Sequence, residues 1–248
     1  MDVVDHVATV VLDRPPVNAI TRATMREIAS VFTELSADRD VRVAVFTAAG
    51  DRAFMAGVDL RAVDEVEPGT VDPGRTARDA MWAITDCAVP VIAAVNGPAL
   101  GAGLAFAACC DIIVAAEGAT FGTTEINVGL LGASAHLSLL VGRHKARELF
   151  FTGEAVPVDE LHRLGAVRSV VPRERLLDEA QELARTLAAK SPVALRLAKE
   201  SMNRVEGLAL KDAYRTEQDY TARLQGFEDA KEARAAFLEK RAPEWRGR

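Results

Sequence analysis

Two segments of small residues and one glutamate carry the chemistry that this sequence predicts. Residues 53–60 and residues 96–103 contain closely spaced alanine and glycine, and each segment follows an apolar run. Small residues at a turn from strand to helix allow backbone N–H groups to face a ligand at close range. Two such N–H groups aimed at one point stabilise a carbonyl oxygen that gains negative charge. Glu125 follows both turns and supplies a carboxylate for proton transfer.

Each of these features also has a purely structural interpretation. Glycine-rich turns are common wherever chain segments pack tightly, so either turn alone is a weak sign of a functional site. A glutamate is most often solvated or paired with a cation at the surface. The combination of both turns with a later carboxylate is more specific than either turn alone, but from these residues by themselves both the catalytic and the tight-packing interpretation stay open.

The segments that must position these residues alternate between strands and helices. Short apolar, β-branched runs predict buried strands, and apolar residues at helical spacing predict helices, the first of them capped by Thr21. The expected strands are residues 6–12, 41–47, 89–95 and 111–116, and the expected helices are residues 21–36, 76–87 and 102–110. Residues 64–74 are acidic and contain proline and glycine, which predicts a mobile surface loop. The alternation predicts an α/β fold with largely parallel strands.

The pattern becomes entirely helical after about Arg173. Helices are expected at residues 174–190, 192–205, 210–225 and 228–240, and Ser191 before Pro192 is a good helix start. We divide the chain into a core of residues 1–190 and a C-terminal helical region of residues 191–248. No long polar linker separates them, so we expect the two parts to form one functional unit.

The composition argues against several classes of protein. The chain has 248 residues, 49% of them hydrophobic, and its net charge of −6 argues against nucleic acid as a partner. No apolar run reaches the ~18 residues of a membrane span, and the N-terminus lacks the pattern of a signal peptide. The three cysteines and four histidines show no metal-ligand spacing, so we expect no metal. Unpaired cysteines are typical of a reducing compartment, so we expect a cytoplasmic protein.

A set of short blocks occurs in a fixed order along almost the whole chain. The blocks are residues 12–15 with 18–19, 54–60, 91–97, 110–113, 121–122 with Glu125, 149–153, 165–167 and 236–241. In content and order they resemble the crotonase superfamily, the enoyl-CoA hydratase/isomerase family. The resemblance implies repeated ββα units wound into a spiral, followed by a helical region that mediates trimer formation. It also implies an acyl-CoA substrate, with coenzyme A as part of the substrate rather than a separate cofactor, and a homotrimer or a dimer of trimers.

The resemblance further implies roles for individual residues. The N–H groups of Val58 and Ala102 would stabilise a thioester enolate, and Glu125 would handle the proton. Relatives usually have glycine at the position of Ala102, and alanine is compatible there if its φ stays negative. Contacts to the substrate are implied for Pro16, Val17, Ala56, Gly57, Asp59, Leu60, Gly101, Gly103, Ala105, Gly129, His136, Phe237 and Lys240. Of these, Phe237 and Lys240 match positions that in relatives often reach the coenzyme A of a neighbouring subunit.

The sequence departs from the hydratase pattern at Ala105. Hydratases commonly have a glutamate there, twenty residues before the one that matches Glu125, and use it to activate water. Alanine cannot take a proton from water, and such assistance is typically worth ~10²–10⁴-fold in rate. The stretch after Gly129 also departs from the pattern, and it introduces Ser134 and His136. His136 is interpreted either as an acid–base group or as an ordinary core or surface histidine.

Four functions are therefore compatible with the sequence. A hydratase would need a substitute for the missing glutamate or Glu125 acting alone. A double-bond isomerase needs only one carboxylate, which suits Glu125. A decarboxylase needs the N–H groups but no base. A non-catalytic acyl-CoA binding protein would keep the pocket without chemistry, and the presence of Glu125 argues against it.

Overall fold

The computed structural model describes residues 1–62 and 71–247. The strands in chain order are β1 (Asp2–Val4), β2 (Val7–Leu12), β3 (Val43–Ala48), β4 (Val91–Val95), β5 (Ala99–Leu100), β6 (Ile112–Ala116), β7 (Thr120–Gly122), β8 (Ala155–Pro157) and β9 (Ser169–Val171). The α-helices are α1 (Arg22–Ala37), α2 (Arg75–Thr85), α3 (Ala102–Ala108), α4 (Ser134–Val141), α5 (Arg143–Thr152), α6 (Val158–Arg163), α7 (Leu176–Ala188), α8 (Pro192–Val205), α9 (Leu210–Gln225) and α10 (Glu228–Glu239). None of these helices is long and apolar enough to cross a membrane.

A six-stranded sheet in the order β1-β2-β3-β4-β6-β9 organises the molecule. All neighbouring strands pair in parallel except β1 with β2, as the alternation of strands and helices predicts. Because β2, β3 and β4 run in the same direction, their carboxyl ends meet at one edge of the sheet. Both small-residue turns leave the sheet at this edge, one after β3 and one after β4.

Helices cover both faces of the sheet, which explains why β3 is apolar along nearly its whole length. On one face, Phe46 of β3 contacts Phe32 of α1 and Phe54 of the first turn in edge-to-face geometry. On the other face, β3 and β4 pack against α7, whose buried residues include Leu176 and Leu183. The first turn is therefore attached to the main core by its own phenylalanine.

A small second sheet in the order β5-β7-β8 lies beyond the edge of the first. In it, β5 pairs in parallel with β7, so that Leu100 lies opposite Gly122. The second turn contains β5, and Glu125 follows β7 within three residues. The second sheet therefore brings the carboxylate next to the second turn.

The C-terminal helices α8, α9 and α10 pack on one another and on the core. The buried ammonium of Lys199 in α8 donates to the Asp111 carboxylate at 2.7 Å, which ties this region to the main sheet. In contrast, α9 has no buried residue, and Tyr214 and Phe237 are exposed. Self-association through this region stays a prediction, as does the division at residue 190.

The strands and helices expected up to Ala116 and after Arg173 are present, with ends that shift by about two residues. Thr21 caps α1 as expected, since its hydroxyl accepts from the N–H of Thr24. Between these regions, β7 to β9 and α4 to α6 were not predicted, because the elements are short and their patterns are irregular. The loop expected at 64–74 lies mostly outside the described residues, and only its last four residues, which precede α2, are described.

Candidate active site

The first turn holds the N–H of Val58 between two backbone hydrogen bonds made by its neighbours. The N–H of Ile20 donates to the Gly57 carbonyl, and the N–H of Asp59 donates to the Ile20 carbonyl, both at 2.9 Å. These two bonds hold the backbone on either side of Val58. In the described part of the chain, the N–H of Val58 itself has no acceptor. Gly57 has a φ of +98°, a conformation that favours glycine.

The second turn presents the N–H of Ala102 in the same way. Ala102 is the first residue of α3, and the first helical bond there runs from the N–H of Ala105 to the Gly101 carbonyl. The N–H of Ala102 therefore has no partner within its helix. The positive φ of this turn, +55°, falls on Gly101, so alanine is accommodated at 102 without strain.

The two turns are hydrogen-bonded to each other, and this brings their free N–H groups together. The N–H of Leu100 donates to the Met55 carbonyl at 2.9 Å, and the N–H of Met55 donates to the Pro98 carbonyl at 3.2 Å. A Cβ placed on Gly57 would lie only 4.0 Å from the nitrogen of Ala102. The arrangement is suited to an oxyanion hole, in which both N–H groups meet one oxygen.

Glu125 lies beside the second turn, at the start of a short 3-10 turn (Glu125–Val128). Its side chain is half-buried, and its Oε2 atom is buried without a hydrogen-bond partner among the described residues. Burial raises the pKa of this carboxyl above its ordinary value, because the charged form loses solvation. A raised pKa suits a group that must both accept and return a proton.

A cavity of about 430 Å³ contains both turns and Glu125. Its walls are mostly apolar, and Glu125 is the one carboxylate on them within the described residues. The lining residues are Thr21, Arg22, Met25, Ala56, Gly57, Val58, Leu60, Ala62, Pro73, Ala77, Met81, Gly101, Ala102, Ala105, Thr124, Glu125, Val128, Leu130, Leu131, Gly132 and Ala133. Residues 1–62 and 71–247 contain no cluster of side chains suited to a metal ion.

The structure brings eight of the residues singled out in the sequence to this cavity. They are Ala56, Gly57, Val58, Leu60, Gly101, Ala102, Ala105 and Glu125. The others lie outside its lining, namely Pro16, Val17, Asp59, Gly103, Gly129, His136, Phe237 and Lys240. Some of these support the first turn, since the Val17 carbonyl accepts from the N–H of Ala56 at 3.1 Å.

Asp59 is an anchor of the first turn rather than part of the cavity wall. Its buried carboxylate accepts hydrogen bonds from Arg61 at 2.9 Å and from Arg14 at 3.1 Å. The Arg61 guanidinium, together with Arg14, holds the pKa of Asp59 well below its usual range. Asp59 therefore stays ionised and is suited to fixing the backbone next to Val58.

His136 lies on α4 and is partly buried. Its Nδ1 atom has no hydrogen-bond partner within the described residues, and burial lowers its pKa. Burial therefore disfavours the charged form of this histidine. Its acid–base role stays a prediction.

Several cavity residues were not expected from the sequence. Met25 and Met81 come from the core-facing sides of α1 and α2, where their spacing predicts only a buried helix face. Leu131 and Gly132 come from an irregular loop with no recognisable pattern. The helical spacing predicts that the methionines are buried or half-buried, but only the tertiary structure shows that they line the site.

Comparisons with known proteins identify the family of this chain. Residues 3–248 match the family model described as Enoyl-CoA hydratase/isomerase. The chain is 39% identical to a (7aS)-7a-methyl-1,5-dioxo-2,3,5,6,7,7a-hexahydro-1H-indene-carboxyl-CoA hydrolase of Rhodococcus jostii (strain RHA1), over 96% of this chain and 93% of the relative. It is 35% identical to a carnitinyl-CoA dehydratase of Proteus mirabilis (strain HI4320), over 98% and 95%.

A solved structure extends the comparison to the fold. The crystal structure of an enoyl-CoA hydratase from Bacillus anthracis superposes with a TM-score of 0.92 and 32% identity, covering 98% of this chain and 96% of that one. The fold expected from the sequence resemblance, the spiral of the crotonase superfamily with a helical C-terminal region, is thereby confirmed. This chain belongs to the enoyl-CoA hydratase/isomerase family of the crotonase superfamily.

Proposed function

We propose that this protein forms and discharges a thioester enolate on an acyl-CoA substrate, with Glu125 as its proton-transfer group. One observation carries the proposal: the cavity combines the backbone N–H groups of Val58 and Ala102, which have no acceptor among the described residues, with the half-buried carboxylate of Glu125. The N–H groups bind the thioester oxygen as it becomes negative, and the apolar walls strengthen that interaction by excluding water. The chemistry needs no cofactor beyond the coenzyme A of the substrate.

The single carboxylate on the described part of the cavity wall favours a proton shuttle. In a 3-enoyl-CoA, Glu125 takes the proton from C2, and the electron pair of that C–H bond moves toward the thioester oxygen as a dienolate. The protonated Glu125 then returns the proton to C4, and the double bond moves from C3–C4 to C2–C3. This isomerisation is balanced without water and needs no second base, so it fits a site that has Ala105 on its wall.

Hydration of a 2-enoyl-CoA is the other reaction of the same kind. Glu125 would have to direct a water molecule to C3 and a proton to C2 without a partner carboxylate among the lining residues of 1–62 and 71–247. Named hydratases among the relatives, such as the 35% identical short-chain-enoyl-CoA hydratase of Clostridium acetobutylicum, support this reaction. We therefore propose a hydratase/isomerase-type enzyme, with isomerisation as the reaction better suited to the residues on the wall.

The second candidate function is hydrolysis of a ring-containing acyl-CoA. The named hydrolases of Rhodococcus jostii and Mycobacterium tuberculosis, at 39% and 41% identity, support it. The cavity of about 430 Å³ also supports it, since alanine and glycine at positions 77, 105, 132 and 133 leave room for a bulky acyl group. In a cyclic β-keto acyl-CoA, water would add to the ring ketone while Glu125 takes its proton, and the bond from the ketone carbon to C2 would break. The electron pair would pass to C2 as the thioester enolate, which the two N–H groups stabilise, and Glu125 would return the proton to C2.

We further propose that a second copy of the chain completes the coenzyme A site. The exposed Phe237 of α10 and the neighbouring Lys240 lie outside the cavity of their own chain, which suits a role at another subunit. A homotrimer or a dimer of trimers would provide that arrangement. The loop at Pro16 and Val17, hydrogen-bonded to the first turn, is suited to contacts with the pantetheine arm.

Exchange of the α-proton tests the proposal with simple acyl-CoA probes. The purified protein is incubated in deuterated water with butyryl-CoA and with cyclohexanecarbonyl-CoA, and deuterium at C2 is measured by mass spectrometry. Glu125→Gln is expected to abolish exchange and to leave the Kd for the acyl-CoA within a few-fold. Glu117→Gln is the control, since Glu117 is exposed and outside the cavity lining. Exchange that survives Glu125→Gln would remove Glu125 from this role.

The reaction itself is identified with a substrate panel. A 3-enoyl-CoA, crotonyl-CoA and a cyclic β-keto acyl-CoA are each incubated with the enzyme in deuterated water. Deuterium incorporation together with double-bond migration in the 3-enoyl-CoA indicates the isomerase. Addition of water to crotonyl-CoA indicates the hydratase. Addition of water to the cyclic substrate indicates the hydrolase.

A further inference from the structure

The carboxylate of Glu125 is enclosed between two glycines from different segments. A Cβ on Gly101 would lie 2.7 Å from its Oε1 atom and 3.0 Å from its Cδ atom. A Cβ on Gly132 would lie 2.8 Å from the same Oε1 atom and 3.4 Å from Cδ. A side chain at either glycine would require the end of the Glu125 side chain to move. We call the space between these two glycines the carboxylate slot.

The two glycines differ in what their backbone requires. Gly101 has a φ of +55°, so its conformation by itself favours glycine. Gly132 is not among the residues with positive φ, so its backbone conformation does not by itself favour glycine. The three atoms nearest to a Cβ on Gly132 all belong to the Glu125 side chain. Contact with that carboxylate is therefore the steric restriction at this position.

We propose that Gly132 is a positioning residue for Glu125, and that its missing side chain keeps the carboxylate in its buried, reactive location. This inference rests on the function proposed above. The backbone at 132 cannot easily retreat, because the next residue, Ala133, accepts a hydrogen bond from the N–H of Leu137 at 2.9 Å. Leu137 is fully buried and holds α4 in the core. An added methyl group at 132 must therefore displace the flexible end of Glu125.

Displacement of the carboxylate has a specific kinetic signature. Gly132→Ala is expected to slow α-proton exchange by about 10- to 100-fold, since misplacement of a catalytic group by about 1 Å costs this much. The Kd for the same acyl-CoA is expected to change by no more than about threefold. The acid limb of the pH–rate profile is expected to move to lower pH, because a carboxylate pushed out of the slot is less buried.

Gly207→Ala is the matched control. No atom lies within 4 Å of a Cβ on Gly207, its φ is not positive, and it lies in the loop between α8 and α9. This substitution is expected to leave the exchange rate, the pH profile and the Kd unchanged. An equal loss of rate in both variants would show a general effect of alanine and would overturn the inference.

Adding Gly132→Ala to a variant that lacks the Glu125 carboxylate separates an effect on the position of Glu125 from an effect on folding. Glu125→Ala empties the slot, so adding Gly132→Ala there is expected to leave the melting temperature unchanged. In the wild-type background the same alanine is expected to lower it. An equal fall in melting temperature in the wild-type protein and in Glu125→Ala would overturn the role of Gly132. An unchanged exchange rate and pH profile in Gly132→Ala would do the same. Exchange that survives Glu125→Gln would instead overturn the proposed function, so the two failures are distinguishable.

Discussion

Gly103, the second residue of α3, lies directly against the carbonyl oxygen of Met55. A Cβ on Gly103 would overlap with that backbone oxygen, which no side chain tolerates. The contact lets α3 approach the first turn closely enough for the N–H groups of Val58 and Ala102 to converge. The spacing of the proposed oxyanion hole thus depends on a glycine that does not line the cavity.

Gly103→Ala is expected to separate the two turns. The added methyl group must push α3 away from the Met55 carbonyl, because a backbone atom cannot yield as a flexible side chain does. We expect a loss of about 1–3 kcal/mol in the free energy of unfolding, the usual cost of overpacking, together with loss of exchange activity. Urea denaturation checks the first and the deuterium assay the second, with Gly207→Ala as the control. Full stability in Gly103→Ala would contradict the assigned contact.

Ala102→Pro tests one N–H group directly. Proline is well tolerated at the first position of a helix, where it removes an N–H that has no helical partner. Proton exchange is expected to fall by about 100- to 1000-fold, the usual effect of losing one oxyanion donor. Ala102→Gly keeps the N–H and serves as the control, with circular dichroism to verify folding of both. If Ala102→Pro folds and exchanges protons at the wild-type rate, this N–H is not a donor.

Ala105→Glu is expected to introduce the second carboxylate that hydratases of this family commonly have. Ala105 is fully buried and lines the cavity with Glu125, so the new group can reach a bound water. Hydration of crotonyl-CoA is expected to rise about tenfold or more, measured as loss of absorbance of the conjugated thioester. Ala105→Gln has nearly the same size without the charge and is the control. Equal rates for both substitutions in folded protein would show that Ala105 does not limit hydration.

The buried carboxyl of Glu125 is expected to make stability depend on pH. Because its pKa is raised in the folded state, the native protein binds more protons than the unfolded chain between the two pKa values. Wild-type stability therefore falls as pH rises through that window. The melting temperature of Glu125→Gln, relative to wild type, is expected to be higher at pH ~7 than at pH ~4. A difference that does not vary with pH, while Glu117→Gln behaves as wild type, would contradict the raised pKa.

The order of the core elements could be predicted because their patterns are long and regular. Val43–Ala48 is almost continuously apolar, and Met25 and Ile28 have helical spacing. The residues of each element therefore show by themselves which side chains are buried. The region of β7 to β9 was not predictable in this way. Its strands have three residues each, too few for a periodic signal, and their pairing depends on partners distant in sequence.

The sequence by itself determined the family and the α/β architecture and predicted the two turns and the role of Glu125, because these depend on residue types at local spacing. Only the tertiary structure decided that Asp59 is an anchor bonded to Arg14 and Arg61 and that Gly132 encloses Glu125. Both are contacts across loops without a repeating pattern. Their geometry results from the packing of whole elements, and residues that meet only through such packing leave no signal in the spacing of the chain.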